Sequence, residues 1–405
     1  MTLAETPLLL ILVGLTAYAV LGGADFGAAF WQLGTGSGAR GEALREHAYR
    51  AMGPVWEANH VWLVFVLVVC WTAYPQAFAS IFSTLSAPLF LAGIGIVLRG
   101  TAYAVHAGTA REIERRAVDG VFSLSSILTP FALGAALGGI ASGRVPVGNA
   151  AGDPVTSWLN PTSIAIGVLA VATGAYLAAV YLAGDAARAG RTDLADAFRR
   201  RALGAGLAAG AAALAALPVV AYDAPPLRDL FDWPAALALG ASAAAGTATL
   251  ELVRRRRFEP ARYGASAAVA AILAGWALAQ QPELLPGLTI EDAAAGRPTL
   301  LATVAGVALG ALVLVPSLAL LFGLVLRGRF DAGVAATPAS IAPSPRRLPL
   351  LIPALVAGAA GVPLTLVFSG GPLLALGVVS LLAGVALAAV AVASAIAAGE
   401  AEGAE

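Results

Sequence analysis

The chain has 405 residues, of which 59% are hydrophobic and only 12% charged, with 24 basic and 24 acidic side chains and a formal net charge of zero. Soluble domains carry about 25% charged residues, so this composition excludes a soluble globule. Apolar runs of about 18 residues or more recur along the whole length, long enough to cross a bilayer as helices and without the alternation of a lipid-facing barrel.

An all-α, polytopic helical membrane protein is therefore expected, with about eleven spans at 8–33, 52–73, 76–98, 121–141, 160–182, 202–221, 233–252, 263–280, 299–326, 348–368 and 372–397. The first opens on an apolar run from Leu8, and Ala17-Tyr18-Ala19 imitates a signal-peptide cleavage site. Such peptides need a positively charged leader. Here Glu5 is the only charged residue ahead of the run, which continues to Trp31, so 8–33 reads as a retained span. Every basic residue is an arginine, and 21 of the 24 fall in alternate connections, including Arg40, Arg45 and Arg50, Arg199 to Arg201, and Arg254 to Arg257. Only Arg144, Arg228 and Arg297 fall on the other side. Positive charge stays inside, which places the arginine-rich loops in the cytoplasm and the N-terminus outside. Trp71, Tyr74, Trp158 and Trp233 fall at expected outer ends and Trp31 at an inner end, as interfacial anchors do. Residues 330–347, rich in Ala, Pro and Ser, read as a linker between a nine-span body, 1–329, and a two-span extension with an acidic tail, 348–405. Stretches 16–25 and 173–185 (TGAYLAAVYLAGD) echo each other faintly with different Tyr-to-Asp spacings, which leaves an internal repeat open.

An ionised side chain at mid-membrane costs about 2.5–3.5 kcal/mol on insertion scales, so such residues face protein or water. In chain order the candidates are Asp25, Glu57, His60, Arg99 and Asp119. At a helical rise of 1.5 Å per residue, Asp25 and His60 lie about 12 Å, and Glu57 about 8 Å, from the arginine-rich ends of their spans. Arg99 closes the third span on that side and Asp119 opens the fourth. Four consecutive helices are thus expected to bring polar groups to one half of one bundle. Glu57 and His60, three apart, would share a face, and Gly22, Gly23 and Gly27 beside Asp25 would let helices approach closely. Blander readings stand beside these: His60 as a packing residue, Arg99 and Asp119 as helix ends in the headgroup layer, His47 and His106 as surface groups.

The chain contains three histidines, two methionines and one cysteine, and no CxxCH, P-loop or GxSxG pattern. A haem held between helices needs axial His or Met ligands, so this chain is a poor host for redox centres by itself. The lone Cys70 excludes an internal disulfide. The zero net charge argues neither for nor against nucleic acid, and no nucleic-acid partner is expected.

GGADFGAAF (22–30) resembles the GFDxG stretch of subunit II of cytochrome bd-type quinol oxidases, and GPVWEANHVWL (53–63) resembles its PxWxxNxVWL signature, with the acidic position on Glu57. AYPQAFA (73–79), FSTLSAPL (82–89) and LRG (98–100) continue the likeness, which covers residues 8–140. The resemblance implies two four-helix bundles plus a peripheral helix, with the two C-terminal spans as extra helices. It implies a heterodimer whose partner, subunit I, carries haems b and d and the quinol site, where quinol is oxidised and oxygen reduced to water. No cofactor is then expected on this chain alone, apart from the structural quinone associated with some members. Residue by residue, Asp25 and Glu57, with His60 and Asp119, become candidates for a proton route. Trp56, Asn59 and Trp62 become signature positions that fix helix packing, and Arg99 stabilises the same region. No catalytic or metal-binding residue is implied. Ala24 departs from the family, which has an aromatic before the acid.

The expected function is a haem-free subunit of an electrogenic quinol oxidase, a multi-pass protein of the bacterial plasma membrane. It would support subunit I and contribute a cytoplasmic-side route for protons, or for oxygen. The rival reading is a proton-coupled secondary transporter using Asp25 and Glu57. Discontinuous midplane helices and a strong inverted repeat would favour it, and the sequence displays no convincing repeat.

Overall fold

The computed structural model describes residues 2–326, apart from 34, 37, 53–55 and 107–111. Beyond 326 it describes only 353, 356–361, 364, 372–373, 376–377, 379–380, 383–384 and 387. The helices are α1 Thr6–Ala17, α2 Gly23–Phe30, α3 Ala39–Met52, α4 Trp56–Ala73, α5 Pro75–Thr84, α6 Ser86–His106, α7 Glu112–Ala141, α8 Pro161–Arg188, α9 Thr192–Asp223, α10 Ala235–Arg254, α11 Phe258–Gln280, α12 Ile290–Ala293 and α13 Arg297–Leu326. A π-helical turn, Tyr18–Gly22, joins α1 to α2 in one continuous span. Among the described residues, eight helices are long and apolar enough to cross a membrane, and Glu57–Ala73 is a shorter apolar helix. The expected linker, 330–347, lies outside the described residues, and the described positions of the expected extension are helical.

Two details depart from the expected spans. The third is divided, because Leu85 leaves helical geometry (φ −96°, ψ 24°) between α5 and α6. Pro88, one turn into α6, explains the break: it donates no backbone hydrogen bond, and its ring crowds the carbonyl four residues back, that of Thr84. Secondly, the first arginine-rich connection holds a helix of its own, α3. A small hairpin, β1 Glu283–Leu285 with β2 Leu288–Thr289, turns at Gly287 (φ +73°). It carries Leu285 and Leu288 into a buried cluster with Tyr74, Leu85 and Val145.

The chain divides into two compact units, Met1–Gly100 with Val121–Phe322, and Thr101–Gly120 with Gly323–Glu405. Within the first, α8, α9, α10 and α11 form a closed ring in which each packs on the next and α11 returns to α8. That is a four-helix bundle. The first span docks onto it through α2 and α8, while α1 packs on α4. Leu309, Leu312 and Val313 on α13 stay exposed, as suits a peripheral, lipid-facing helix. At one end of the bundle Arg144 makes a two-pronged ion pair with Asp223 (2.6 and 3.1 Å). Asp223 also accepts from the Thr162 amide and hydroxyl at 3.0 and 2.8 Å, so one carboxylate ties the start of α8 to the end of α9.

The approach of α2 to α8 admits no side chain at its centre. A β-carbon on Gly27 would stand 1.9 Å from the Gly174 carbonyl oxygen, and one on Gly174 would stand 2.8 Å from that of Gly23. The Trp31 indole donates to the Ala175 carbonyl at 2.7 Å just beyond, and Arg201 lies over its ring at 5.7 Å. Trp31 therefore joins two helices as well as marking a span end. Overpacking costs about 1–3 kcal/mol, so Gly27→Ala is expected to lower the melting temperature of the detergent-solubilised protein. Gly246→Ala, whose added carbon meets nothing within 4 Å in α10, is expected to preserve or raise it. Differential scanning fluorimetry of both variants checks this.

Candidate functional site

Asp25 lies in the first turn of α2 and is 7% exposed. A carboxylate so placed needs hydrogen-bond donors to offset its lost hydration. Asn59 of α4, 5% exposed, supplies one: its Nδ2 donates to Asp25 Oδ2 and, at 3.4 Å, to the Leu21 carbonyl inside the π turn. The turn is closed by the Gly23 amide bonding back to the Tyr18 carbonyl. Such single π turns are rare and recur at functional sites. Arg99 of α6 is 2% exposed, with its guanidinium 4.6 Å from the Phe26 ring centroid and 5.5 Å from that of Phe122. These are cation–π distances. Its charge couples electrostatically to Asp25, Tyr18 and His60. Arg99 is therefore a buried member of this group rather than a helix-end marker.

Glu57 does not join it. The residue is exposed, on a stripe with Val61, Val64, Val68 and Trp71. Geometry requires this, since Asn59 is two residues further and about 200° around the helix. Turning Asn59 toward Asp25 turns Glu57 away. His60 is half-buried, its ring 6.0 Å from Tyr18 and 6.1 Å from Phe26. Trp62 packs edge-on against Phe65 at 6.3 Å. Trp56 begins α4, but its side chain lies outside the described residues. Asp119, half-buried, belongs to the second unit.

Several participants were not singled out from the sequence. A cavity of about 140 Å³ is lined by Asp25, Asn59, Tyr181, Asp185 and Arg262 among small residues such as Ala178. Arg262 Nη2 donates to Asp185 Oδ1 at 2.8 Å and lies 5.0 Å over the Tyr181 ring. Arg188 bridges Asp185 to Glu259. The one signal for Asp185 was the faint echo in 173–185; Arg262 was hidden among the arginines that mark orientation. A larger cavity of about 380 Å³ is almost wholly apolar, with Leu12, Tyr18, Phe26, Leu133 and Trp276 on its wall.

Among the described residues no group of three or more His, Cys, Asp or Glu comes together. His47 Nε2 pairs with the Leu182 carbonyl at 3.1 Å, and the His60 ring lies near those of Tyr18 and Phe26.

Comparison with curated protein sequences finds no match. Among solved structures, a chain of the bd oxidase from Geobacillus thermodenitrificans is similar, with 26% sequence identity and a TM-score of 0.63 over 80% of this chain and 99% of that one. The family described as cytochrome bd terminal oxidase subunit II matches residues 3–325. With four-fifths of its length inside that match, and with the buried Asp25–Asn59 pair formed by its two best signature stretches, the chain belongs to the cytochrome bd terminal oxidase subunit II family.

Proposed function

We propose that this multi-pass membrane chain is the haem-free subunit of a bd-type respiratory oxidase and that Asp25 relays protons taken up on its arginine-rich side. The family implies a subunit I partner, quinol and oxygen as substrates, and haems in the complex. In this reading the haems lie in subunit I, the arginine-rich loops are cytoplasmic, and the N-terminus is outside. Consuming protons from one side while quinol releases them on the other builds a membrane potential without a pump.

One observation carries the proposal: a carboxylate is held inside the membrane-spanning helices beside an amide donor and a polar cavity. Intramembrane acids usually pair or line a water-filled space where ions or protons move. Glu57, on the exposed stripe of α4, would then meet subunit I rather than lipid, as would the neighbouring Trp71 face. Asp119 and His60 remain candidates for the same route. The large apolar cavity has the chemistry for an isoprenoid tail, either of a structural quinone or of a lipid. The family match ends at residue 325, which supports a body of 1–329 carrying 348–405 as an added two-helix extension. Membership of this family leaves the proton-coupled transporter reading without support.

Asp25→Asn, which keeps the shape and removes the titrating proton, is expected to lower quinol-driven oxygen consumption about tenfold or more, with haem content unchanged in the purified complex. Full turnover in that variant would take Asp25 off the route. Asn59→Leu leaves the carboxylate without its donor and is expected to cost about 1–3 kcal/mol of stability, read as a lower melting temperature. Glu57→Gln, on the face proposed to meet subunit I, is expected to weaken co-purification of subunit I; full recovery of the partner would take Glu57 off that interface. Purified alone, the chain is expected to lack haem absorption bands, and the complex to have them.

A further inference from the structure

A buried acid can relay protons only if something resupplies it, and Asp25 is walled on one side by α8 at the Gly27 contact. The cavity beside it runs from Leu21, Asp25 and Asn59 to Asp185 and Arg262. At its inner end Asp25 is 7% exposed, whereas the side chains of Arg262 and Asp185 are 23% and 28% exposed. Asp185 is close to the end of α8 and Arg262 lies in the first turns of α11, on either side of arginine-rich connections. The space therefore leads from a surface ion-pair cluster to the buried carboxylate.

Its chemistry suits water. An ordered water needs two to four polar partners, and Asp25, Asn59, Tyr181, Asp185 and Arg262 are among the residues that line the wall. The remaining wall is apolar, with Leu21 and Leu182 beside the small side chains Ala24, Ala28, Ala51 and Ala178 that leave the space open. The Tyr181 hydroxyl is fixed by a 2.7 Å hydrogen bond with Ser266, and Arg262, stacked on the Tyr181 ring, is held to Asp185. Charges of both signs thus guard the opening, and the passage behind them is uncharged until Asp25.

We infer that this cavity is the proton intake of the subunit, a water-filled antechamber opening between α8 and α11 at the Asp185–Arg262 pair and ending at Asp25. Protons pass along the water chain by exchange of hydrogen bonds, with no net bond made or lost in the wall. Asp185 and Arg262 are positioning residues that hold the mouth open and hydrated. The inference rests on the Asp25 relay reading.

The experiment uses the oxidase complex with subunit I, reconstituted in vesicles. Ala178→Leu fills the cavity while leaving every charge in place, and Asp25→Asn runs beside it. The expected result is a kcat about tenfold lower in Ala178→Leu, with KM for quinol and haem content unchanged. Full turnover in Ala178→Leu with Asp25→Asn inactive overturns the intake and leaves the relay standing; full turnover in Asp25→Asn overturns both. Should Ala178→Leu fail to assemble, Ala28→Cys is treated with silver ion against the parent, whose single Cys70 lines the other cavity. Silver inhibition specific to Ala28→Cys, from the arginine-rich side only, supports the intake. Inhibition equal to the parent, or from the opposite side only, overturns it.

Discussion

The hydrogen bond between the Asn59 amide and the Asp25 carboxylate, made where lipid-facing helices exclude bulk water, constrains more of this protein than any other contact. A carboxylate moved from water into an apolar interior loses several kcal/mol of hydration unless donors replace it. Meeting that need fixes the rotation of α4, brings α4 against the π turn, and sets which residues of the EANHVW stretch look inward. The buried Arg99 adds a compensating positive charge, its guanidinium lying over two aromatic rings.

The π turn then divides the first span into two faces with different chemistry. Tyr18, Gly23 and Phe26 look into the large apolar cavity, while Leu21, Ala24, Asp25 and Ala28 line the small polar one. An apolar cavity and one lined by polar residues are thereby separated by the thickness of a single helix. Beside them the Gly27–Gly174 contact closes the gap between α2 and α8, and packing that close leaves no room for water there. A tight seal beside an open polar pocket is the arrangement a proton path needs, since leakage into the apolar side would be as damaging as blockage.

Much of this was legible from residues alone, for identifiable reasons. Helical spans announce themselves because lipid tolerates no unpaired backbone, so every crossing must be a long apolar run. Asn59 was legible through the signature stretch it belongs to, and Asp25 and Arg99 stood out because charged groups are expensive within a membrane span. Glu57 stood out for the same reason, yet a one-dimensional reading cannot say which way a helix is turned, and two residues of separation put it on the far face. The break at Leu85 was readable in principle from Pro88 but masked by uninterrupted hydrophobicity. Arg262 and Asp185 escaped notice because an arginine in a loop-flanking position looks the same whether it meets headgroups or guards a cavity.

Composition and order by themselves determined the membrane setting and the approximate span boundaries, because these depend on transfer free energies that accumulate residue by residue along the chain, while the family was legible only through short motifs. Tertiary structure alone decided that Asn59 rather than Glu57 answers Asp25, that Arg99 is buried, and that Asp185 and Arg262 share a cavity with Asp25, far earlier in the chain. Those outcomes depend on the rotation and crossing of helices distant in sequence, which are set by where two backbones can touch and not by what either segment contains.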